Sequence, residues 1–325
     1  MRWWVHWSSQ LLLATLPGGA VLNRFMQERV GLLRHLEQGT QFQNSQDIIS
    51  LSLQSIKDID GCRVAEFGTG WVPAVPVALG LCGAEVHTFD VAALTHRNYF
   101  QRTMNTWRHR LHELAESSGQ SHAAVRTRFN KLASAVDLHE FCRMTGGCCV
   151  APCDTAFLPD ATGSFDLVIS NLVLQCIPDE LVVPVLRESA RLLRPSGTAV
   201  HRIRLTDEYA RGDSQRHQLH FLTYTRQTWN RWFNHRLKWQ NRWRASQFLA
   251  AFHDVGLEPR VVHRHRDPDC VNYFRDIAVA DDVPVRDEDD LATIGMDVVL
   301  CKPSTQVART HDAGKTTTWS GKAAL

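Results

Sequence analysis

The chain has 325 residues, 44% hydrophobic and 22% charged, with 36 Lys and Arg against 34 Asp and Glu. That length suits one elaborated domain or two, and the composition excludes a chain disordered throughout, a collagen-like repeat and a polytopic membrane protein. The formal charge of +2 hides opposed local blocks, and 16 His and 10 Trp are unusually many.

Residues 1–60 read as a helical segment. Met1-Arg2-Trp3-Trp4-Val5-His6-Trp7 and Leu11-Leu12-Leu13 look at first like a signal peptide. However, His6 and Ser8-Ser9-Gln10 interrupt the apolar run, which is too short to span a bilayer. The expectation is an amphipathic helix packed on the body of the protein; peripheral membrane contact through its tryptophans is the alternative. Leu22, Phe25, Met26, Val30 and Leu33 recur at helical steps after Pro17-Gly18-Gly19. Ile48, Ile49, Leu51, Leu53 and Ile56 predict another helix before Gly61.

From Gly61 the pattern alternates. Strands are predicted over 62–67, 85–90, 148–152, 165–170, 198–205, 259–265 and 296–301. Helices are predicted over 72–81, within 93–145, and over 179–193 and 245–254. This is an α/β chain with a Rossmann-like, mostly parallel sheet carrying helices on both faces. The domain is expected to span 61–302, with a helical cap insertion at about 206–244. Residues 303–325 are polar and rich in Thr and Lys, and are expected to be a disordered tail. Nine cysteines, an odd number scattered through apolar runs, suggest free thiols in a reducing compartment, hence a cytoplasmic protein. Cys142, Cys148, Cys149 and Cys153 could be weighed as a zinc set, but no Cys-x-x-Cys pair is present and no metal is expected.

The chemistry is concentrated in Val64-Ala65-Glu66-Phe67-Gly68-Thr69-Gly70-Trp71. A strand delivers an acid, then Gly-x-Gly, then a helix, a geometry in which bare backbone can approach a ligand closely. Asp90, 22 positions after Gly68, ends the next strand, where a carboxylate can take a ribose hydroxyl pair. The third glycine of the dinucleotide fingerprint is missing, and Trp71 and Pro73 crowd the place of a pyrophosphate. Glu66 before the turn also suits a cationic ligand better than an anionic one. Further along come Asp154-Thr155-Ala156-Phe157-Leu158-Pro159, then Phe165–Asn171, then Leu192-Leu193-Arg194-Pro195-Ser196-Gly197.

This ordered series, over about residues 61–205, resembles the class I S-adenosylmethionine-dependent methyltransferases. The Gly-Thr-Gly-Trp-x-Pro loop is similar to that of a bacterial group often associated with glycan or metabolite modification. That resemblance implies S-adenosyl-L-methionine as cofactor. Glu66, Gly68, Thr69 and Gly70 would then surround its methionine part, and Asp90 its ribose. Val91 would lie against the adenine, with Asp154 and Thr155 at the adenine amino group, and Asn171 would face the methyl and the substrate. Asp154 and Asn171 are otherwise ordinary turn-formers at strand ends.

The acceptor is less constrained. Asn171 is followed by Leu172-Val173, unlike the proline-rich motif of amino-methylating nucleic-acid enzymes. A hydroxyl acceptor needs a base, and loops after the fourth and fifth strands face the cofactor. They nominate Asp207, Glu208 and His201, with His217 and His220 behind them, as catalytic candidates beside Asn171. Residues 201–244 hold 10 Arg and Lys against 3 acids, together with Trp229, Trp232, Trp239 and Trp243. That mixture suits a helical cap, a stacked sugar or single-stranded nucleic acid. Residues 281–297 hold 7 acids against Arg286. The reading is a methyltransferase acting on a hydroxyl of a sugar or small molecule. The alternatives are an RNA methyltransferase using the basic region and a non-catalytic cofactor-binding scaffold.

Overall fold

The computed structural model describes residues 2–29, 40–211, 213, 215–275, 277–284 and 287–303. Val30, Leu33, Arg286 and the tail from 304 onward, all named above, lie outside the described residues.

Seven strands form one sheet: β1 (Arg63–Phe67), β2 (Glu85–Phe89), β3 (Cys149–Val150), β4 (Phe165–Asn171), β5 (Leu193–Arg204), β6 (Glu258–Arg266) and β7 (Thr293–Cys301). Their order is β3-β2-β1-β4-β5-β7-β6. The first five run parallel, and β7 enters antiparallel between β5 and β6. β1 and β4 are buried on both faces, which is why Val64-Ala65-Glu66-Phe67 and Phe165–Asn171 read as continuous apolar runs.

One face carries α3 (Thr40–Ser55), α4 (Ala74–Leu81), α5 (Arg97–Arg108), α6 (Leu111–Ser118), α7 (His122–Leu132) and α8 (Leu138–Thr145). All eight residues of α4 are buried, as expected of a helix that is apolar on every side. The other face carries α9 (Asp179–Leu192) and α11 (Ala245–Asp254). Phe67, Phe89 and Phe165 pack edge-to-face beneath α9, with centroids 6.2 and 6.4 Å apart. Burying each such ring contributes roughly 1.5–3 kcal/mol. The short helices α12 (Asp269–Tyr273) and α13 (Glu288–Ala292) escaped the sequence reading, because five residues are too few to show a period.

Two further helices, α1 (Trp3–Thr15) and α2 (Gly19–Arg29), precede α3, so the N-terminal segment is helical as expected. α1 docks on the insertion after β5. Trp3 and Trp7 pack on Phe233 at 6.4 and 6.1 Å, and Trp7 Nε1 donates to the Trp232 carbonyl at 2.6 Å. Its outer face and that of α2 leave Trp4, Leu12, Leu16, Val21, Leu22, Phe25 and Met26 exposed. No helix among the described residues is long and apolar enough to cross a membrane.

The insertion is helical only in part. Among its described residues it forms one 3-10 turn, His220–Thr223, and α10 (Arg226–Trp232). Side chains replace a helical ladder elsewhere. Asn241 Nδ2 donates to the carbonyls of Leu174 and Ile177, and Gln240 Nε2 donates to that of Thr206. Arg244, fully buried, ties the carbonyls of Leu205, Asp290 and Thr293 together. Trp239 and Trp243 therefore sit outside the helix, although their spacing from Trp229 and Trp232 resembles helical packing.

Candidate active site

The candidate site lies outside the carboxyl ends of β1, β2 and β4, the edge at which open α/β sheets bind ligands. β1 delivers Glu66, whose side chain is 3% exposed. Burial pushes its carboxyl up to about 8, with the Asp90 carboxylate adding to the rise. Glu66 Oε2 and Thr69 Oγ1 are buried atoms that complete no hydrogen bond. Such orphaned acceptors are expensive unless a ligand meets them.

The turn that follows requires glycine for two different reasons. Gly68 has φ +74°, and a Cβ there would lie 2.4 Å from Val173 Cγ2. Gly70 has φ +68°, and a Cβ there would meet nothing within 4 Å, so its backbone faces open space. Asp90 holds this turn. Its Oδ2 accepts from Gly70 N at 2.8 Å and its Oδ1 from Ala92 N at 3.0 Å. Each carboxylate oxygen keeps a second acceptor position. Burial raises the Asp90 carboxyl, with those backbone donors opposing.

The far wall comes from β3 and β4. Cys153 N donates to the Asp90 carbonyl at 2.8 Å, bringing the Asp154 loop beside the end of β2. Asp154 Oδ1 accepts from Ala156 N at 2.9 Å, a local turn that leaves Oδ2 available; Thr155 is buried next to it. Val91 and Phe157, 69% and 79% exposed, are the most exposed large hydrophobic side chains among the described residues. Both follow these strand ends, and Phe157 was missed because a single aromatic in a loop carries no pattern.

At the end of β4, Asn171 Nδ2 donates to Ser45 Oγ of α3 at 3.3 Å, while its Oδ1 is buried without a partner. Leu172 adopts φ +59°, the sole positive φ outside glycine among the described residues. For a bulky side chain this costs about 1–2 kcal/mol. It is held by Leu172 N donating to the Arg202 carbonyl at 2.9 Å and by Gln175 Nε2 donating to the Leu172 carbonyl at 2.7 Å. The kink carries Val173 over Gly68. Strain of this kind collects where a ligand must be met in one geometry.

The sequence candidates for a base are placed differently. His201 lies within β5, 1% exposed, stacked on Phe252 at 5.7 Å, with Nδ1 2.8 Å from Ser170 Oγ. Burial pushes its imidazole down to about 3, so it packs as a neutral ring closed off from solvent. Asp207 is fully buried and paired with Arg216, Oδ2 to Nε 2.7 Å, while its Oδ1 accepts from Tyr209 N. That is a structural ion pair rather than an open carboxylate. Its guanidinium lies over Trp3 at 4.2 Å, stapling α1 to the insertion. His217 and His220 both contact Tyr273 of α12.

Neighbouring Glu208, its side chain 14% exposed, sits among cations. Its Oε1 meets Arg204 Nη1 at 3.2 Å and its Oε2 meets Arg211 Nη1 at 3.3 Å. Burial would raise this carboxyl, but Arg204, Arg211 and Lys238 outweigh it and hold it below the usual range. The exposed thiol of Cys176, two residues beyond Leu174, shares this charge environment. His6 of α1 completes the group, its ring 5.6 Å from Tyr209. Burial, then Lys238, push His6 down to about 4, so it is neutral at physiological pH. The sequence could not nominate His6, Cys176 or Lys238, which lie on three separate parts of the chain.

Three guanidinium groups of the insertion are taken up within the fold. Arg216 serves Asp207, Arg242 serves Asp282 and the Tyr224 carbonyl, and Arg244 serves three carbonyls. Trp229 is buried as well. Trp232, by contrast, is half exposed, with Arg231 over its ring at 5.5 Å. Among the described residues no group of three or more His, Cys, Asp and Glu is placed to hold a metal.

Residues 114–201, from α6 to the middle of β5, match the family model described as a methyltransferase domain. Over that stretch the chain is similar to methyltransferase domains. The strand order and the helices on both faces make this a Rossmann-like α/β fold. No curated protein matches the sequence. Among solved structures, the chain is similar to the 1,6-didemethyltoxoflavin-N1-methyltransferase of Burkholderia thailandensis, with 12% identity over 88% of each chain and a TM-score of 0.43. It is also similar to the magnesium protoporphyrin IX methyltransferase of Synechocystis, with 12% identity over 87% of this chain and 99% of that one and a TM-score of 0.45. A third is the geranyl diphosphate C-methyltransferase of Streptomyces coelicolor, with 12% identity, 79% and 78% coverage, and a TM-score of 0.44.

Proposed function

We propose that the protein transfers a methyl group from S-adenosylmethionine to a hydroxyl of a sugar or other small molecule. The observation that carries the cofactor half is the set of unmet groups around one turn: Glu66 Oε2, Thr69 Oγ1 and Asn171 Oδ1, beside a Gly70 backbone facing open space. These residues fit the cofactor. Glu66 suits its ammonium group, Asp90 its ribose hydroxyls, and Asp154, Thr155 and Val91 its adenine.

When bound, the cofactor supplies an electrophilic methyl on a sulfonium. The chain's own residues supply position and proton transfer. Asn171, braced by Ser45 and the Leu172 kink, orients groups at the end of β4. His6, neutral and only partly buried, accepts the hydroxyl proton in this reading, in place of the enclosed His201 and Asp207.

The decisive experiment is calorimetric titration with S-adenosylhomocysteine. Saturable one-to-one binding is expected, and heats indistinguishable from dilution would refute the cofactor assignment. Methyl label appearing on the acceptor oxygen in cell extract, lost in His6→Ala but not in His201→Phe, would support the base assignment.

A further inference from the structure

The charged cluster around Glu208, beyond the end of β5, holds more positive charge than its own residues balance. Glu208 is its carboxylate, and Arg204 and Arg211 already clasp one oxygen each. Lys238 brings a third cation, with Nζ 3.9 Å from the centre of the Tyr209 ring. Among the described residues, no carboxylate oxygen lies within 4 Å of that ammonium. The other nearby acid, Asp207, is consumed by Arg216. Three cations against one anion, with Glu208 and Arg204 side chains 14% and 19% exposed, leave a partly desolvated surplus. Such a surplus is costly until an anion joins it.

Resting on the methyltransferase reading above, we propose that the acceptor carries an anionic group, a phosphate or a carboxylate. Lys238 and Arg211 bind this group, leaving the acceptor's hydroxyl at Asn171 and His6. Arg211 offers four further N–H donors beyond its contact with Glu208 Oε2, and a guanidinium fork suits either oxyanion. Lys238 acts as a point charge that the Tyr209 face holds in place without neutralising it. The arrangement also couples binding to chemistry. An anion offsets the Lys238 charge that bears on His6, so the imidazole becomes a better base when the acceptor is seated.

The test uses the full chain at constant ionic strength, with and without saturating S-adenosylhomocysteine. Inorganic phosphate and acetate are titrated separately, followed by tryptophan fluorescence and thermal shift. Saturable binding of at least one anion is expected, weakened by about tenfold in Lys238→Met and recovered in Lys238→Arg. Preference for phosphate assigns a phosphoryl group, and preference for acetate a carboxylate. Wild-type protein that binds neither anion, or a Lys238→Met variant that binds as the wild type does, overturns the proposal. S-adenosylhomocysteine binding is read independently in each variant, so failure of the cofactor assignment is distinguishable from failure of the anion site.

Discussion

The two halves of the candidate site are built from different materials. In the proposed reading, the cofactor side is made of backbone: bare glycines at Gly68 and Gly70, N–H groups gathered by Asp90, and a strained Leu172 pressing Val173 into place. The proposed acceptor side is made of long charged side chains, Arg204, Arg211 and Lys238 around Glu208, with His6 brought from the far end of the chain. Backbone geometry serves one invariable ligand. Side chains can be exchanged one at a time, so a changeable ligand is best met by them. The difference makes the proposed cofactor side local in sequence, and the proposed acceptor side dispersed.

Four measurements would break or sharpen that contrast. The largest effect is expected at the Asp207–Arg216 pair. Asp207→Ala leaves a buried guanidinium unpaired and should cost about 3–5 kcal/mol in denaturant unfolding. If the halves are independent, the same variant keeps its affinity for S-adenosylhomocysteine wherever it remains folded. Next is Asp90→Ala, which removes an acceptor and the brace of the Gly70 turn. Calorimetry should show a loss of roughly ten- to a hundredfold in affinity, and an unchanged Kd would mean that the ribose lies elsewhere.

Third is a pH dependence. Folding raises the Glu66 carboxyl to about 8 from its ordinary value of 4.5. The folded chain therefore binds the extra proton between those values, and its stability without ligand falls as pH rises through that window. A cationic ligand group at Glu66 favours the carboxylate, so binding releases a proton. Affinity for S-adenosylhomocysteine should rise by up to about tenfold per pH unit below 8, a slope that Glu66→Gln abolishes. The smallest effect belongs to Thr225, whose hydroxyl caps α10 through Thr228 N at 3.2 Å. Thr225→Ala should cost about 1 kcal/mol of stability without altering cofactor binding, as thermal melts and calorimetry can check.

The same contrast explains what could be read from the sequence. Glu66, Gly68, Gly70 and Asp90 lie within one β-α-β stretch, where spacing along the chain fixes spacing in space. Asp154 and Asn171 follow because a parallel sheet brings successive strand ends to one edge. His201 and Asp207 were nominated because strand-end loops face the candidate site. Whether a particular side chain points into that space depends on Phe252, Ser170 and Arg216, which the local sequence does not specify. His6 and Lys238 meet only after α1 has docked on the insertion, a contact spanning more than 200 residues. The insertion itself misled because tryptophans at helical steps were held by Gln240, Asn241 and Arg244 in irregular backbone instead.

The seam between α1 and the insertion has a consequence for swapping parts between relatives. Trp3 N donates to Asp213 Oδ2 at 2.8 Å, and Arg216 is shared between Trp3 and Asp207. A chimera that imports a foreign insertion but retains these first fifteen residues would join surfaces that were never fitted to each other. Acceptor preference should therefore travel only when both pieces are transplanted as a pair, and a tag fused ahead of Trp3 would perturb substrate choice before it perturbs the sheet.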